Sequence, residues 1–289
     1  MVILVTGANG QLGRSLRALA PGLPGYQFVF TGSADLDITD SKQTKAFLSQ
    51  QKFTHVINCA AYTAVDKAEE EPEKALAVNR DGVANLADAC ANSNCRIVHI
   101  STDYVFNGTS GNPYSETDPP APLSAYGKSK LEGEKVLQNS DVKSTIIRTS
   151  WLYSEFRQNF VKTMLRLMQE REEISVVDDQ IGTPTWATDL AKTILLLIGN
   201  EQEMEQKELF HFSNSGAASW YDFAWEIADL AGLDCRIRPI PTSKYPLPAP
   251  RPHFSLMSKT KIMNKLAITI PHWKESLRNC LKNLNINQQ

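Results

Sequence analysis

The chain has 289 residues with 42% hydrophobic and 21% charged side chains, which excludes a disordered or fibrous class and leaves room for one large domain or two modest ones. The formal net charge is −2 and the pI about 6.2, so no basic excess draws the chain to nucleic acid or an anionic membrane. An anionic ligand would have to be held by local donors.

Short apolar runs alternate with amphipathic stretches through the first half. Val2–Val5, Gln27–Phe30, His55–Asn58, Arg96–Ile100 and Ser144–Arg148 read as strands, with the near-continuous hydrophobicity of buried parallel strands. Helices are predicted over Gln11–Leu19, Ser41–Gln51 (with Ser41 or Asp40 as cap), Glu73–Asn92 and Ser124–Gln138. That alternation predicts parallel βαβ units and an α/β, Rossmann-type doubly wound sheet. The second half is irregular and proline-rich, with a helix expected near Trp220–Leu230. The expected division is a dinucleotide-binding domain over 1–150, rejoined by 178–200, and a smaller mixed α/β substrate-binding lobe over 151–177 and 201–289.

Gly7, Gly10 and Gly13 follow the first strand and open the first helix. Glycine permits a tight turn and lets backbone N–H groups approach a pyrophosphate, with the helix N-terminus adding orphan donors. Gln11 and Leu12 lie inside that turn. The second strand ends Phe30-Thr31-Gly32-Ser33, without the carboxylate that reads a ribose 2′-hydroxyl. Arg14 could lie close by, and this tilts the expectation toward NADPH, with NADH open. Asp37-Ile38 could flank an adenine, or Asp37 could serve only turn chemistry.

Tyr126 and Lys130 stand four apart and share a helix face. A phenol titrates near pH 10, about three units too high for proton exchange at neutrality. A neighbouring ammonium favours phenolate, so Lys130 is expected to lower the phenol and to hold ribose hydroxyls. Thr102, at the carboxyl end of the fourth strand, is placed to donate to a reacting oxygen, and Asp103 to accept from a sugar hydroxyl or cap a turn.

The glycine turn, Ser101–Phe106 and Tyr126–Lys130 together resemble the extended short-chain dehydrogenase/reductases. Further segments resemble the branch acting on nucleotide sugars: Asn58–Glu69, Arg148–Tyr153, Asp178–Thr185 and Pro248–Pro252. The resemblance runs from residue 1 to about residue 255. It implies reduction of the C4 ketone of a nucleotide-linked deoxyhexose by NAD(P)H. Gly10, Gln11 and Leu12 would hold the cofactor, and Ala61, Tyr62 and Thr63 would line its ribose and nicotinamide. Tyr126 would donate the proton with Lys130 as partner and Thr102 steadying the oxygen. Thr102, Asp103, Trp151 and Arg251 would contact the substrate, a guanidinium suiting its diphosphate. Some relatives carry a glutamate after the glycine motif that joins a magnesium-bridged dimer. Here Ser15 stands there, so no metal is expected and a homodimer stays open. An epimerase retaining its NAD, a reductase of another nucleotide sugar and a non-catalytic regulatory subunit are the alternatives.

The five cysteines are odd in number, without CxxC spacing, and read as buried thiols rather than a zinc or disulfide framework. No basic segment precedes an apolar one at the N-terminus, and the longest apolar run, Ile194–Ile198, is too short to span a bilayer. A cytoplasmic location is expected.

Overall fold

The computed structural model describes all residues except Asn92, Asn94, Glu201, Glu203 and 287–289. Five predicted strands form as β1 (Val2–Thr6), β2 (Gln27–Phe30), β3 (His55–Asn58), β4 (Arg96–Thr102) and β5 (Ser144–Thr149). A sixth, β6 (Lys207–His211), completes a sheet in the order β2-β1-β3-β4-β5-β6, with every pairing parallel. The order reverses between β1 and β3, where the carboxyl ends open a crevice.

The sheet is doubly covered. Side chains alternate faces along a strand. Ile3 and Val5 join Leu12, Leu16, Leu190 and Ile194 on one side. Leu4, Val56, Ile97 and Ile146 join Val83, Leu86 and Leu137 on the other. Helix α1 (Gln11–Leu19) packs against the helix Ala187–Gly199 on the first of these faces.

β6 corrects the expectation that 201–289 belongs wholly to the lobe. Its Phe210, with Ile262 and Ile270, lies in the sheet's own core. Its charged Lys207 and Glu208 hid it from hydrophobic patterning. An edge strand tolerates such residues, and Glu208 finds Lys261 at 3.0 Å. The ends of the expected lobe at 201 and 289 lie outside the described residues.

The helix predicted over Glu73–Asn92 is not continuous. It runs Pro72–Leu76, widens into a π turn at Ala77–Asp81 and resumes over Gly82–Ala91, with Asn92 outside the described residues. The π turn seats the buried Asn79, whose side chain accepts from Tyr62 N at 2.9 Å and donates to Tyr62 O and to Ser129. Such insertions recur at functional sites. Helix α2 (Ala125–Asn139) is capped by Ser124, whose hydroxyl accepts from Gly127 N.

The lobe has its own core. The helix Phe160–Glu170 contributes Val161, Met164 and Leu165, the helix Trp220–Ala231 contributes Phe223 and Ile227, and the helix Trp273–Asn283 contributes Trp273 and Leu277. Among the described residues, three two-stranded pairings tie the loops together. No helix among the described residues is long and apolar enough to cross a membrane.

Candidate active site

A cleft of about 1140 Å³ runs along the carboxyl ends of the strands and under the lobe. Of the residues singled out in the sequence, it gathers Gly7, Gly10, Gln11, Leu12, Gly13, Asp37, Ile38, Ala61, Tyr62, Thr63, Thr102, Asp103, Tyr126, Lys130 and Trp151. Arg251 is not among its lining.

The three glycines of the first turn do different things. Gly7 has φ of 63°, and a Cβ there would meet Ala60 N at 2.5 Å. At Gly13 a Cβ would meet Ala8 Cα at 2.5 Å, so this glycine sets how closely helix and strand pack. At Gly10 the nearest obstacle is Gly7 O at 3.2 Å. Gly10 caps α1 without any side-chain hydrogen bond. First-turn N–H groups of an uncapped helix, facing a roomy cleft, suit a diphosphate. Gln11 does more than present its backbone. Its amide nitrogen donates to Leu152 O at 3.1 Å, and its oxygen accepts from Ser154 and Asn159. The glycine turn is thereby tied to the segment 152–159.

Beyond β2, Gly32 N donates to Asp35 Oδ2 at 2.8 Å. That carboxylate satisfies the turn after the strand. Asp37 Oδ1 accepts from the amide and hydroxyl of Thr39, while Ile38 is buried against Gly82. Asp37 therefore has turn chemistry and also borders the cleft.

Tyr126 and Lys130 come from successive turns of α2. Burial pushes the phenol up to about 12, against a hydrogen bond with Thr102 that favours phenolate, while the Asp103 charge adds to the rise. Spacing alone predicts the reverse, an ammonium holding the phenol down. The difference lies in where Lys130 points: Nζ donates to Ile100 O at 2.6 Å and stands 3.3 Å from His99 Nε2. Burial brings the amine down to about 8, with Glu134 and Cys59 acting oppositely. Tyr104 meets the Tyr126 ring edge-on, centroids 5.6 Å apart.

Thr102 ends β4, and its hydroxyl donates to Asp103 Oδ1 at 3.0 Å and accepts from Tyr104 N. Asp103 is buried, with Oδ2 lacking a hydrogen bond of ordinary geometry. Burial pushes its carboxyl up to about 6, with the Ser255 and Thr102 hydroxyls pulling it down.

On the lobe side the Trp151 indole stacks on Trp220, and Arg157, exposed and with φ of 58°, borders the cleft beside Gln158. Arg251 instead forms a two-pronged pair with Asp66, both contacts 2.7 Å, and donates to Ala249 O. Its fork clips the proline-rich loop to the segment after β3. Sequence reasoning did not identify Asn79, Trp220, Ser255, Arg157 or the side-chain role of Gln11. Only Trp220, beside a helix start, carried any signal.

A parallel sheet with its switch point at a glycine turn, and a tyrosine–lysine helix across the cleft, define an extended short-chain dehydrogenase/reductase. The chain belongs to the family described as the RmlD substrate binding domain, which matches residues 1–286. It is 41% identical to a dTDP-4-dehydrorhamnose reductase of Aggregatibacter actinomycetemcomitans, over 96% of this chain and 97% of that one. Among solved structures, a dTDP-4-dehydrorhamnose reductase from Clostridium acetobutylicum superposes with a TM-score of 0.94 at 42% identity, covering 99% of this chain and all of the other. One from Bacillus anthracis, in complex with NADP, gives 0.93 at 38% identity, covering 98% and 99%.

Proposed function

We propose that this chain reduces the C4 ketone of dTDP-4-dehydro-L-rhamnose to give dTDP-L-rhamnose, with NADPH as the preferred reductant and NADH as the lesser one. It is an oxidoreductase of dTDP-rhamnose biosynthesis, the activity its relatives carry in name. The observation that carries the reading is the shared cleft: the uncapped glycine turn, Thr102, Tyr126 and Lys130 all open into it. The Bacillus anthracis relative binds NADP, and the end of β2 here offers Thr31, Gly32 and Ser33 rather than a carboxylate side chain at those positions.

The residues fit such a cofactor. Gly10, Gln11 and Leu12 would receive its diphosphate on backbone N–H groups, Ile38 its adenine, and Ala61, Tyr62 and Thr63 its nicotinamide half. When bound, NADPH supplies the hydride. Tyr126, protonated well past neutrality, gives its proton to the C4 oxygen as negative charge develops there. Thr102 donates to that same oxygen. Lys130 donates to ribose hydroxyls. Asp103 and Trp151 orient the sugar nucleotide. Arg251 acts at one remove, holding the loop 248–252 through Asp66. The enzyme works in the cytoplasm. Ser15, buried and bonded to Gln11 O, supplies no carboxylate to a metal bridge between two copies.

The test is consumption of reduced cofactor with dTDP-4-dehydrorhamnose, using NADPH and NADH in turn, with product identified by mass and NMR. Stoichiometric oxidation and dTDP-L-rhamnose are expected. Retained NAD with C4 inversion and no net oxidation would overturn the reading in favour of an epimerase.

A further inference from the structure

Behind the cleft a line of buried polar groups crosses the sheet. The Thr6 hydroxyl donates to Asn58 Oδ1 at 2.7 Å, and Ala60 N–H donates to the same oxygen at 3.2 Å. Asn58 Nδ2 stands 3.1 Å from His99 Nδ1, and His99 Nε2 stands 3.3 Å from Lys130 Nζ. Thr6, Asn58, His99 and Lys130 are each no more than 2% exposed.

Counting hydrogens assigns the protons. A backbone N–H can only donate, so Asn58 must present its oxygen to Ala60. The amide nitrogen then faces His99, and it too can only donate. Nδ1 must accept, which puts the single proton of the neutral ring on Nε2. That N–H points at Lys130. An ammonium has no lone pair, so two donors would oppose each other where an unmade hydrogen bond is costly. A neutral amine removes the conflict: its lone pair accepts from His99 while one N–H donates to Ile100 O. Flipping Asn58 only moves the clash to Ala60. Protonating His99 would set a second N–H against the Asn58 amide, and burial pushes that imidazole well below its ordinary range.

We infer that His99 is a positioning residue that favours the amine form of Lys130 in the free protein, so that above neutrality seating a nicotinamide ribose at Nζ is coupled to uptake of up to one proton. This rests on the cofactor site proposed above. The proton comes from solvent and takes the lone pair that His99 had occupied, so one hydrogen bond breaks and no other group changes charge. The ammonium then has Ile100 O and the ribose hydroxyls as acceptors, contacts that offset the His99 N–H left unpaired.

The other groups around Nζ do not supply a free counter-charge. Cys59, after β3, is a thiol raised by burial to about 12. Tyr126, on the same helix, is a neutral phenol. Glu134, one turn further along, is already held by Arg148 at 2.6 Å and Ser101 at 2.5 Å. Lys130 itself is lowered by burial to about 8, so the amine prevails above that pH in the free protein.

Calorimetric titration of the full chain with NADPH, in buffers of differing ionisation enthalpy, tests this. Uptake approaching one proton is expected at about pH 9, falling toward zero near pH 6.5. Lys130→Met, which leaves the glycine turn intact, should bind with no uptake at about pH 9. His99→Leu strips the amine of its donor and should move the uptake window to higher pH. Binding without uptake in the wild type, or uptake surviving in Lys130→Met, overturns the inference while leaving the reductase reading intact. A cofactor-independent arm follows lysine Cε resonances in the free protein. One signal, missing from Lys130→Met, should titrate near pH 8, and a midpoint at the ordinary lysine value of about 10.4 overturns the inference. Absence of any NADPH binding would instead overturn the cofactor reading, with the free-protein titration still deciding the state of Lys130.

Discussion

Trp151 lies flat on Trp220, ring centroids 3.6 Å apart and planes within 7°, and it reaches that stack from a left-handed backbone with φ of 46°. Such a conformation costs a non-glycine residue of order 1–3 kcal/mol and persists only where surroundings enforce it. Gly182 is part of that enforcement, since a Cβ there would lie 2.6 Å from the Trp151 ring and 2.9 Å from Ser255 Oγ. The indole is therefore set against the cleft wall by a strained backbone on one side and a missing methyl on the other. Gly182→Ala should push it off the stack. The expected result is a KM for the sugar nucleotide raised roughly tenfold, about 1.4 kcal/mol, with NADPH affinity unchanged. Steady-state kinetics with each substrate varied in turn checks this, and an unaltered sugar-nucleotide KM would count against a substrate role for the Trp151 ring.

On the proposed mechanism Tyr126 carries the proton. Tyr126→Phe keeps the ring and its edge-on contact with Tyr104 but removes the acid. kcat should fall by roughly 10²–10⁴ while NADPH still binds. Thr102→Val should lower kcat less, since one donor to the oxygen remains. Equal kcat in Tyr126→Phe and wild type would disprove the assignment.

The sheet was legible because its short strands are built around Val, Ile and Phe and alternate with amphipathic stretches, and because Gly7, Gly10 and Gly13 mark the first turn. The edge strand Lys207–His211 was not, because two of its five residues are charged and its apolar face shows only against β5. The cleft was legible where its lining depends on local spacing, as with Tyr126 and Lys130. It was not legible where side chains meet across long separations. Arg251 reaches Asp66 across 185 positions, and Gln11 reaches Leu152 across 141. The direction of the Tyr126 shift was missed for a related reason. Spacing places an ammonium near a phenol, but burial of both, and the turn of Nζ toward Ile100 and His99, can be seen only in three dimensions.

Asp103 should give stability a visible pH dependence. Its carboxyl rises from an ordinary 3.8 to about 6 because burial penalises the charge. A raised acid binds its proton more tightly folded than unfolded, so its contribution is fully present below about pH 4 and is lost as pH climbs through 6. The loss is roughly 3 kcal/mol from a shift of about two units. Asp103→Asn cannot ionise. Its stability relative to wild type should therefore improve between about pH 4 and pH 8, even as substrate binding suffers. Urea denaturation of both proteins at the two pH values measures this. A gap that does not change with pH would show that the carboxylate is not held protonated by its surroundings.

Glu134 continues the line of Tyr126 and Lys130 along one face of α2, but its partner lies in the sheet. Arg148 donates to it through Nε at 2.9 Å and Nη2 at 2.6 Å, with the two side chains at 2% and 0% exposure. Ser101 and His211 close the cluster. A buried pair of this kind is weak evidence of net stabilisation, yet removing one member strands the other's charge. Glu134→Gln should therefore cost roughly 3–5 kcal/mol, read as a lower denaturant midpoint at unchanged slope. Replacing both, as Glu134→Gln with Arg148→Met, removes the stranded guanidinium and should recover part of that loss. If the double variant is as unstable as the single one, uncompensated charge is not what Glu134 prevents, and its role would lie in packing α2 against the sheet.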